Sequence, residues 1–206
     1  MNNIRITIFR HAQTQWNEDG KFQGHTDIPL NGTGISQAKQ LIEPFRSYDF
    51  DLLLTSDLSR AIATAQIATE NRYTIQTDAR LREANLGEAE GLNREEIEAK
   101  FGKKIIQNWK SQSNSYLDIC YPGGETGQEV TQRVFLALTD WASQNAFKHI
   151  GLCSHGGVIR RIMQKILPQN SQKVPIPNCI VYQIQFETKS QSWKFIPALP
   201  WKHTRA

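Results

Sequence analysis

The 206-residue chain has few cysteines, and their spacing is that of neither a disulfide framework nor a zinc site. Cys120, Cys153 and Cys179 are odd in number, with no Cys-x-x-Cys pair and no histidine at ligand spacing. We therefore predict reduced thiols and no structural metal. The chain also lacks any apolar run near the roughly 20 residues that cross a bilayer.

Other absences narrow the class of protein further. The first residues lack the apolar core of a signal peptide, so we predict a cytoplasmic protein with no membrane partner. The net charge of +4 is spread along the chain without a basic block, which disfavours a nucleic-acid partner and suits an anionic small molecule. No repeat or linker interrupts the sequence, and its length suits one core. A single domain over residues 1–206 is predicted, with no prediction of oligomeric state.

The first functional signal is an Arg-His pair at the end of a predicted strand. Residues 4–8 alternate apolar and polar side chains and are rich in β-branched residues, so Arg10 and His11 should lie at the carboxyl end of a strand. Ligands bind at the carboxyl ends of strands in open α/β sheets. One such pair alone is more often a solvated strand end than a site.

A second strand end carries another arginine. The apolar residues 51–55 precede a helical pattern over 58–68, with Ser56 and Asp57 as candidate N-caps. Arg60 falls in the first turns of that helix.

A third strand end carries a second histidine. A buried strand over 149–153 is broken at 154–157, before a helical pattern over 158–167. His155 is therefore predicted at a strand-to-helix turn. The three strand ends together are much less probable by chance than any one of them.

The remaining patterns predict an α/β fold. They are helices over 34–45, from Asn93 to Gly102 and after Thr126, an edge strand over 73–77, and a hairpin over 180–186 and 193–196. The hairpin predicts an antiparallel edge strand on a mainly parallel sheet. Residues 102–122 mix lysines and aromatic residues with a polar run, which suits a cap over a pocket or an ordinary surface insertion.

Two arginines and two histidines at one sheet edge would form a positive pocket suited to a phosphoryl dianion, because arginine offers a planar fork of donors. Neutral imidazole is a competent nucleophile, and its attack on phosphorus would give a phosphohistidine. An acid must protonate the leaving oxygen and later activate water, with Glu83 and Glu88 as candidates. In the loop after His11, the candidates for ligand contact are Asn17, Gln23 and Gly24.

Blocks along nearly the whole chain resemble the histidine phosphatase superfamily, also called phosphoglycerate mutase-like, in the same order. They are Arg10–Thr14 with Trp16–Asn17, Gln23–Gly24 with Asp27 and Leu30–Gly34, Ser56–Ala61 with Thr64–Ala65, Leu81–Glu83 with Gly87 and Glu90–Gly91, Gly123–Thr126, and Ser154–Gly157.

The resemblance implies a three-layer α/β/α sandwich and assigns roles to the matching residues. His11 would be the phosphorylated nucleophile and Glu83 the proton donor, and Glu88 matches the family less well. The implied phosphate and substrate ligands are Arg10, Asn17, Gln23, Gly24, Arg60, His155 and Gly156. No metal or organic cofactor is implied.

The implied activity is that of a phosphatase for small phosphorylated metabolites. A phosphoglycerate mutase would share the catalytic set, although the Gln23-Gly24 loop and the modest length favour the phosphatase branch. A non-enzymatic phospho-ligand-binding module is disfavoured because the catalytic residues are intact. Two departures, Ala12 for the usual glycine and Ala89 for a frequent aromatic residue, bear on the pocket's shape and hence on which substrate fits.

Overall fold

One six-stranded sheet organises the computed structural model, which describes residues 3–109, 117–144, 146–168, 171 and 174–196. In the spatial order β3-β2-β4-β1-β5-β6, the strands are β1 (Asn3–Arg10), β2 (Leu52–Thr55), β3 (Ile75–Thr77), β4 (His149–Ser154), β5 (Val181–Glu187) and β6 (Ser192–Ile196). β1 to β4 pair in parallel, whereas β5 pairs antiparallel with β1, and β6 antiparallel with β5. The predicted mainly parallel sheet with an antiparallel edge is confirmed.

Helices cover both faces of the sheet. They are α1 (Gln15–Glu18), α2 (Gly32–Gln40), α3 (Ile42–Arg46), α4 (Ser59–Ala68), α5 (Arg94–Phe101), α6 (Lys104–Trp109), α7 (Gly127–Ala142) and α8 (Gly156–Ile166), with 3-10 turns at Ala79–Leu81 and Gly87–Ala89.

Alternating side chains of β1 contribute to two separate cores. Ile6 and Ile8 belong to the core that also contains Val134 of α7 and Ile162 of α8. Phe9 belongs to the opposite core, which α2, α3 and α4 cover. This alternation is the period of two expected of an extended strand. The fold is therefore the expected three-layer α/β/α sandwich.

The helix predicted over 34–45 is in fact two helices. α2 begins earlier, at Gly32, because Asn31 caps it by accepting the Gly34 N–H at 2.8 Å. Leu41 separates α2 from α3, and its N–H donates to Ala38, three residues back. The tighter three-residue bond ends the regular α-helical pattern.

Two other helix starts differ from the prediction. Ser56 and Asp57 do not cap α4, whose N-cap is Leu58 without a side-chain hydrogen bond. Ser56 instead contacts His155, and Asp57 pairs with Arg82, so both side chains are engaged by other elements. α8 begins at Gly156, two residues before the predicted start, and takes in both glycines of the break.

The predicted helix from Asn93 to Gly102 is confirmed as α5, which Asn93 and Glu96 begin with a capping box and Gly102 caps at its end. Of the cap predicted over 102–122, residues 110–116 lie outside the described residues. Ile106, Trp109 and Tyr121, which flank that gap, are buried. The cap and the single domain stay predictions.

Candidate active site

The sheet topology brings the three predicted strand ends together. β4 lies between β1 and β2, and all three run parallel. Arg10, the last residue of β1, is paired with Ser154, the last residue of β4. The residues that follow these strands therefore share one edge of the sheet, with His11 and His155 as neighbours whose ring centroids are 5.2 Å apart.

His11 is held in one tautomer by the backbone. Its Nδ1 lies 2.8 Å from the carbonyl oxygen of Ala12, which can only accept, so Nδ1 carries the proton. Nε2 therefore bears the lone pair. The main chain of His11 is fixed as well, because its N–H donates to Ser154 and its carbonyl accepts from Asn178 Nδ2 at 2.8 Å.

The surroundings of His11 keep its ring uncharged. Burial is the largest cause that lowers its pKa well below the ordinary 6.5, followed by the nearby charges of Arg10 and Arg60. A neutral ring with a free Nε2 lone pair at neutral pH is the form that can attack an electrophile.

Arg10 and Arg60 each keep a buried donor that no described residue accepts. Arg10 Nη1 donates to the Ile176 carbonyl at 2.7 Å, and burial lowers the pKa of Arg10 to about 10. Arg60 is fully buried and donates through Nη2 to Gly24 at 2.7 Å and through Nη1 to Thr26 at 3.0 Å. The Nε of each arginine is buried with no hydrogen-bond partner among the described residues.

Glu90 organises the loop that holds Arg60. Its carboxylate accepts from the backbone N–H groups of His25 and Thr26, both at 2.8 Å. A β-carbon on Gly24 would lie 2.2 Å from Glu90 Oε1, so only glycine allows this approach. The carbonyls that receive the Arg60 guanidinium are thus positioned by a carboxylate outside the pocket.

His155 is anchored through one ring nitrogen. Its Nε2 lies 2.7 Å from Ser56 Oγ, and its Nδ1 is buried without a partner in the described part of the chain. Burial is again the largest cause that lowers its pKa well below 6.5, with Arg60 next. The ring is therefore neutral at neutral pH.

Glu83 lies at the amino end of α8. Its Oε2 accepts from the Gly157 N–H at 2.8 Å, and its Oε1 accepts from Ala84 at 2.9 Å and Val158 at 3.2 Å. The Gly157 and Val158 N–H groups belong to the first turn of α8, so the start of this helix fixes the position of the Glu83 carboxyl group. Glu88, the other candidate acid, is exposed at the surface and pairs with Lys100 at 2.9 Å.

A cavity of about 340 Å³ opens beside these residues. The predicted residues that line it are Arg10, His11, Asn17, Gln23, Glu83 and Gly156. Arg60 and His155 are fully buried and do not line it, and neither does Gly24, whose carbonyl accepts from Arg60 instead. Gln23 accepts from Thr14 Oγ1 at 2.7 Å and leaves its Nε2 unpartnered within the described structure.

A family model for the histidine phosphatase superfamily (branch 1) matches residues 6–197, a range that contains this whole cluster. The chain belongs to that superfamily. It is 33% identical to phosphoglycerate mutase-like protein 4 of Arabidopsis thaliana, over 85% of this chain and 76% of the relative. It is 30% identical to a Bacillus subtilis phosphatase named PhoE, over 92% and 91% of the two chains.

A solved structure shows the same fold. The phosphoglycerate mutase of Bacillus anthracis superposes with a TM-score of 0.81 at 20% identity, covering 96% of this chain and 93% of that one. At that identity the likeness concerns the fold alone.

The two departures from the superfamily's usual sequence lie outside the cavity wall. Ala12 and Ala89 are both fully buried and absent from the lining. Ala12 is engaged through its backbone, since its N–H donates to Thr64 Oγ1 at 3.0 Å. Its φ is not positive, so the methyl group fits without strain.

Several lining residues were not singled out from the sequence. They include Lys21, Trp109, Gly157, Arg160, Ile176 and Asn178. No strand or helix pattern in the sequence marks Asn178, and only the fold brings its Nδ2 to 2.8 Å from the His11 carbonyl oxygen. Arg160 could have been found, since it lies one helical turn beyond the Gly156-Gly157 break and so near the helix end that faces the site.

Two larger cavities elsewhere have no histidine in their described lining. One of them, of about 920 Å³, is lined mainly by residues of α7 and α8, and its described lining has Lys165 as its titratable side chain and no acid. Within the described ranges, no cluster of three or more His, Cys, Asp or Glu could hold a metal ion. The described helices include none of the length and apolarity needed to cross a membrane.

Proposed function

We propose that this protein is a phosphatase that hydrolyses small phosphorylated metabolites through a phosphohistidine at His11. One observation carries the proposal: several buried side-chain nitrogens around His11 have no hydrogen-bond partner among the described residues. They belong to Arg10, Gln23, Arg60 and His155. Buried polar groups are nearly always paired, so unpaired donors in one place call for an acceptor-rich ligand. A phosphoryl group supplies three such oxygens.

In the first step His11 Nε2 attacks phosphorus and the bond from phosphorus to the leaving oxygen breaks. Arg10 and Arg60 offset the charge of the phosphoryl oxygens. When the Ser56 hydroxyl donates a hydrogen bond to His155 Nε2, the ring proton of His155 lies on the unpartnered Nδ1. His155 can then donate to the phosphoryl group as a neutral ring.

Glu83 completes both steps in this proposal. Two backbone N–H groups occupy Oε1 and one occupies Oε2, so Oε2 has the remaining position for a proton. Protonated Glu83 gives that proton to the leaving oxygen. The resulting carboxylate then takes a proton from water as the water attacks the phosphohistidine, which releases inorganic phosphate and restores His11.

The size of the site suits a small substrate. A cavity of about 340 Å³ is at the lower end of the range for small-molecule sites, roughly 300–1,000 Å³. The cap over residues 102–122 remains part of the proposal, since Trp109 at the edge of its described part lines the cavity. The cytoplasmic location stays a prediction.

A mutase of the phosphoglycerate type is the second candidate, since relatives bear that name. Such an enzyme uses the same first step and differs in the fate of the phosphoenzyme. Incubation with 3-phosphoglycerate separates the two activities: a phosphatase releases inorganic phosphate, whereas a mutase forms 2-phosphoglycerate.

The nucleophile is tested by trapping the phosphoenzyme. Rapid quench of the wild type with ³²P-labelled substrate should give an acid-labile, base-stable label on His11. His11→Ala should carry no label and show no turnover, with an unchanged far-UV circular dichroism spectrum. Label on a serine or an aspartate would contradict the assignment.

A further inference from the structure

Two cations in the cavity wall are not used by the proposed phosphoryl site. Arg160, in the second turn of α8, and Lys21, in the loop after α1, both line the cavity beside Arg10 and His11. Neither side chain has a salt bridge or a hydrogen bond with another residue in the described part of the chain. Five other arginines contrast with them, each with a carboxylate within salt-bridge distance: Arg46, Arg80, Arg82, Arg94 and Arg133.

The surroundings of Arg160 make its lack of a partner costly. Burial is the largest cause that lowers the pKa of Arg160, and the charge of Glu83 is the cause that acts against it. A partly buried guanidinium without a hydrogen-bonded anion loses hydration that none of the described side chains replaces. An anionic ligand group would supply the missing partner, and arginine binds carboxylate and phosphoryl oxygens through two parallel bonds.

The charge balance of the cavity also indicates a second anionic group on the ligand. Arg10 and Arg60 together match the two charges of a phosphoryl dianion. Among the described lining residues Glu83 is the carboxylate, and in the proposed first step it brings the proton for the leaving oxygen, so it does not offset a cation in that step. The positive charges of Arg160 and Lys21 are then left without a counterpart.

We propose that Arg160 and Lys21 form a second anion subsite, so that the preferred substrates are phosphomonoesters with a further anionic group, either a carboxylate or a second phosphoryl group. This inference rests on the proposed phosphatase activity and adds the class of substrate.

Two matched pairs of esters test the subsite. 3-Phosphoglycerate is compared with glycerol 3-phosphate, and fructose 1,6-bisphosphate with fructose 6-phosphate, so that each pair differs in one anionic group. In at least one pair the wild type should have a kcat/KM about tenfold or more higher for the ester with the extra anion, the effect of one charge-assisted hydrogen bond. The pair that shows the preference identifies the second anion.

Arg160→Gln should reduce that preference by about tenfold or more, mainly through KM of the ester with the extra anion. Lys21→Gln should reduce it less, because lysine is a point charge without the planar fork. Arg5→Gln is the matched control: it removes the same charge at the exposed amino end of β1, away from the strand end that carries Arg10, and should retain the preference. Equal losses for both esters in Arg160→Gln would place Arg160 on the transferred phosphoryl group and overturn the inference.

Equilibrium binding separates the subsite from the catalytic proposal. Calorimetric titration of His11→Ala with the same esters should give a lower Kd for the ester with the extra anion. The double variant His11→Ala/Arg160→Gln should lose that difference. Absence of turnover in the wild type would contradict the phosphatase activity, while equal Kd values within both pairs would overturn the subsite whether or not the enzyme turns over.

Discussion

Gly157→Ala should displace the proposed acid without changing any titratable group. A β-carbon at residue 157 would lie 2.3 Å from Glu83 Oε1, whereas ordinary van der Waals contact begins near 3.4 Å. The carboxylate would therefore have to move by about 1 Å, away from the Gly157 N–H that holds Oε2 at 2.8 Å. Gly157 does not have a positive φ, so alanine introduces no backbone strain of its own.

The expected loss depends on the leaving group. A displacement of about 1 Å can cost on the order of 100-fold in rate, which is within the roughly 10²–10⁴-fold contribution of a general acid. An alkoxide needs the proton, whereas p-nitrophenolate leaves unaided. In single-turnover rapid quench, phosphoenzyme formation from glycerol 3-phosphate should slow by about 100-fold and formation from p-nitrophenyl phosphate by less than about tenfold.

The neighbouring glycine provides the control. A β-carbon on residue 156 would lie 3.4 Å from Arg10 Cζ, an ordinary contact with the phosphate side of the site, so any loss in Gly156→Ala should be equal for the two esters. Glu83→Gln should show the same selective loss as Gly157→Ala. Equal losses for both esters in Gly157→Ala, or selective loss in Glu88→Gln, would refute the assignment of Glu83.

Two further predictions concern the buried cations and histidines. Arg60→Lys keeps the charge but loses the fork of donors that reaches the carbonyls of Gly24 and Thr26, so Tm should fall. Loss of one charged hydrogen bond of about 1.5–3 kcal/mol should also lower kcat/KM by about tenfold or more. Unchanged kinetics would place Arg60 outside the site. The pKa values of His11 and His155 in the folded protein lie below 6.5, so the unfolded chain binds protons at higher pH than the folded chain does. The free energy of unfolding should therefore decrease below about pH 6.5, by up to about 1.4 kcal/mol per pH unit for each ring. Urea unfolding between pH 7.5 and 5.5 measures the slope, which should be shallower in His155→Gln, and a flat profile would contradict the account.

Local patterns in the sequence predicted the part of the site that depends on strand ends. Strands β1, β2 and β4 have short apolar or alternating runs. Arg10 ends β1, His11 follows it, and His155 follows β4. Since parallel strands end at the same edge of a sheet, sequence position alone predicts their proximity. The family resemblance then distinguished Glu83 from Glu88, which periodicity had left open.

Contacts between distant segments could not be predicted in this way. The loop residue Asn178 reaches the His11 carbonyl across 167 residues of sequence, and its neighbours show no periodic pattern. The prediction that Ser56 or Asp57 caps α4 was wrong for a related reason. Local propensity favours these residues at a helix start, but His155 and Arg82, distant in sequence, engage both side chains in the fold.

The turn from β4 to α8 couples the two halves of the proposed chemistry. It places His155 at the end of β4, and its next residues supply the Gly157 and Val158 N–H groups that hold the Glu83 carboxylate. The backbone of Glu83 is fixed separately, because its carbonyl accepts from Arg133 Nη2 and lies 2.9 Å from His25 Nε2. A change in this turn would therefore move the phosphate ligand and the acid together. The same helix carries Arg160, so Arg160 keeps a fixed distance from His155 and Glu83. A fixed distance between the two anion sites is the condition for selecting a substrate by the spacing of its two anionic groups.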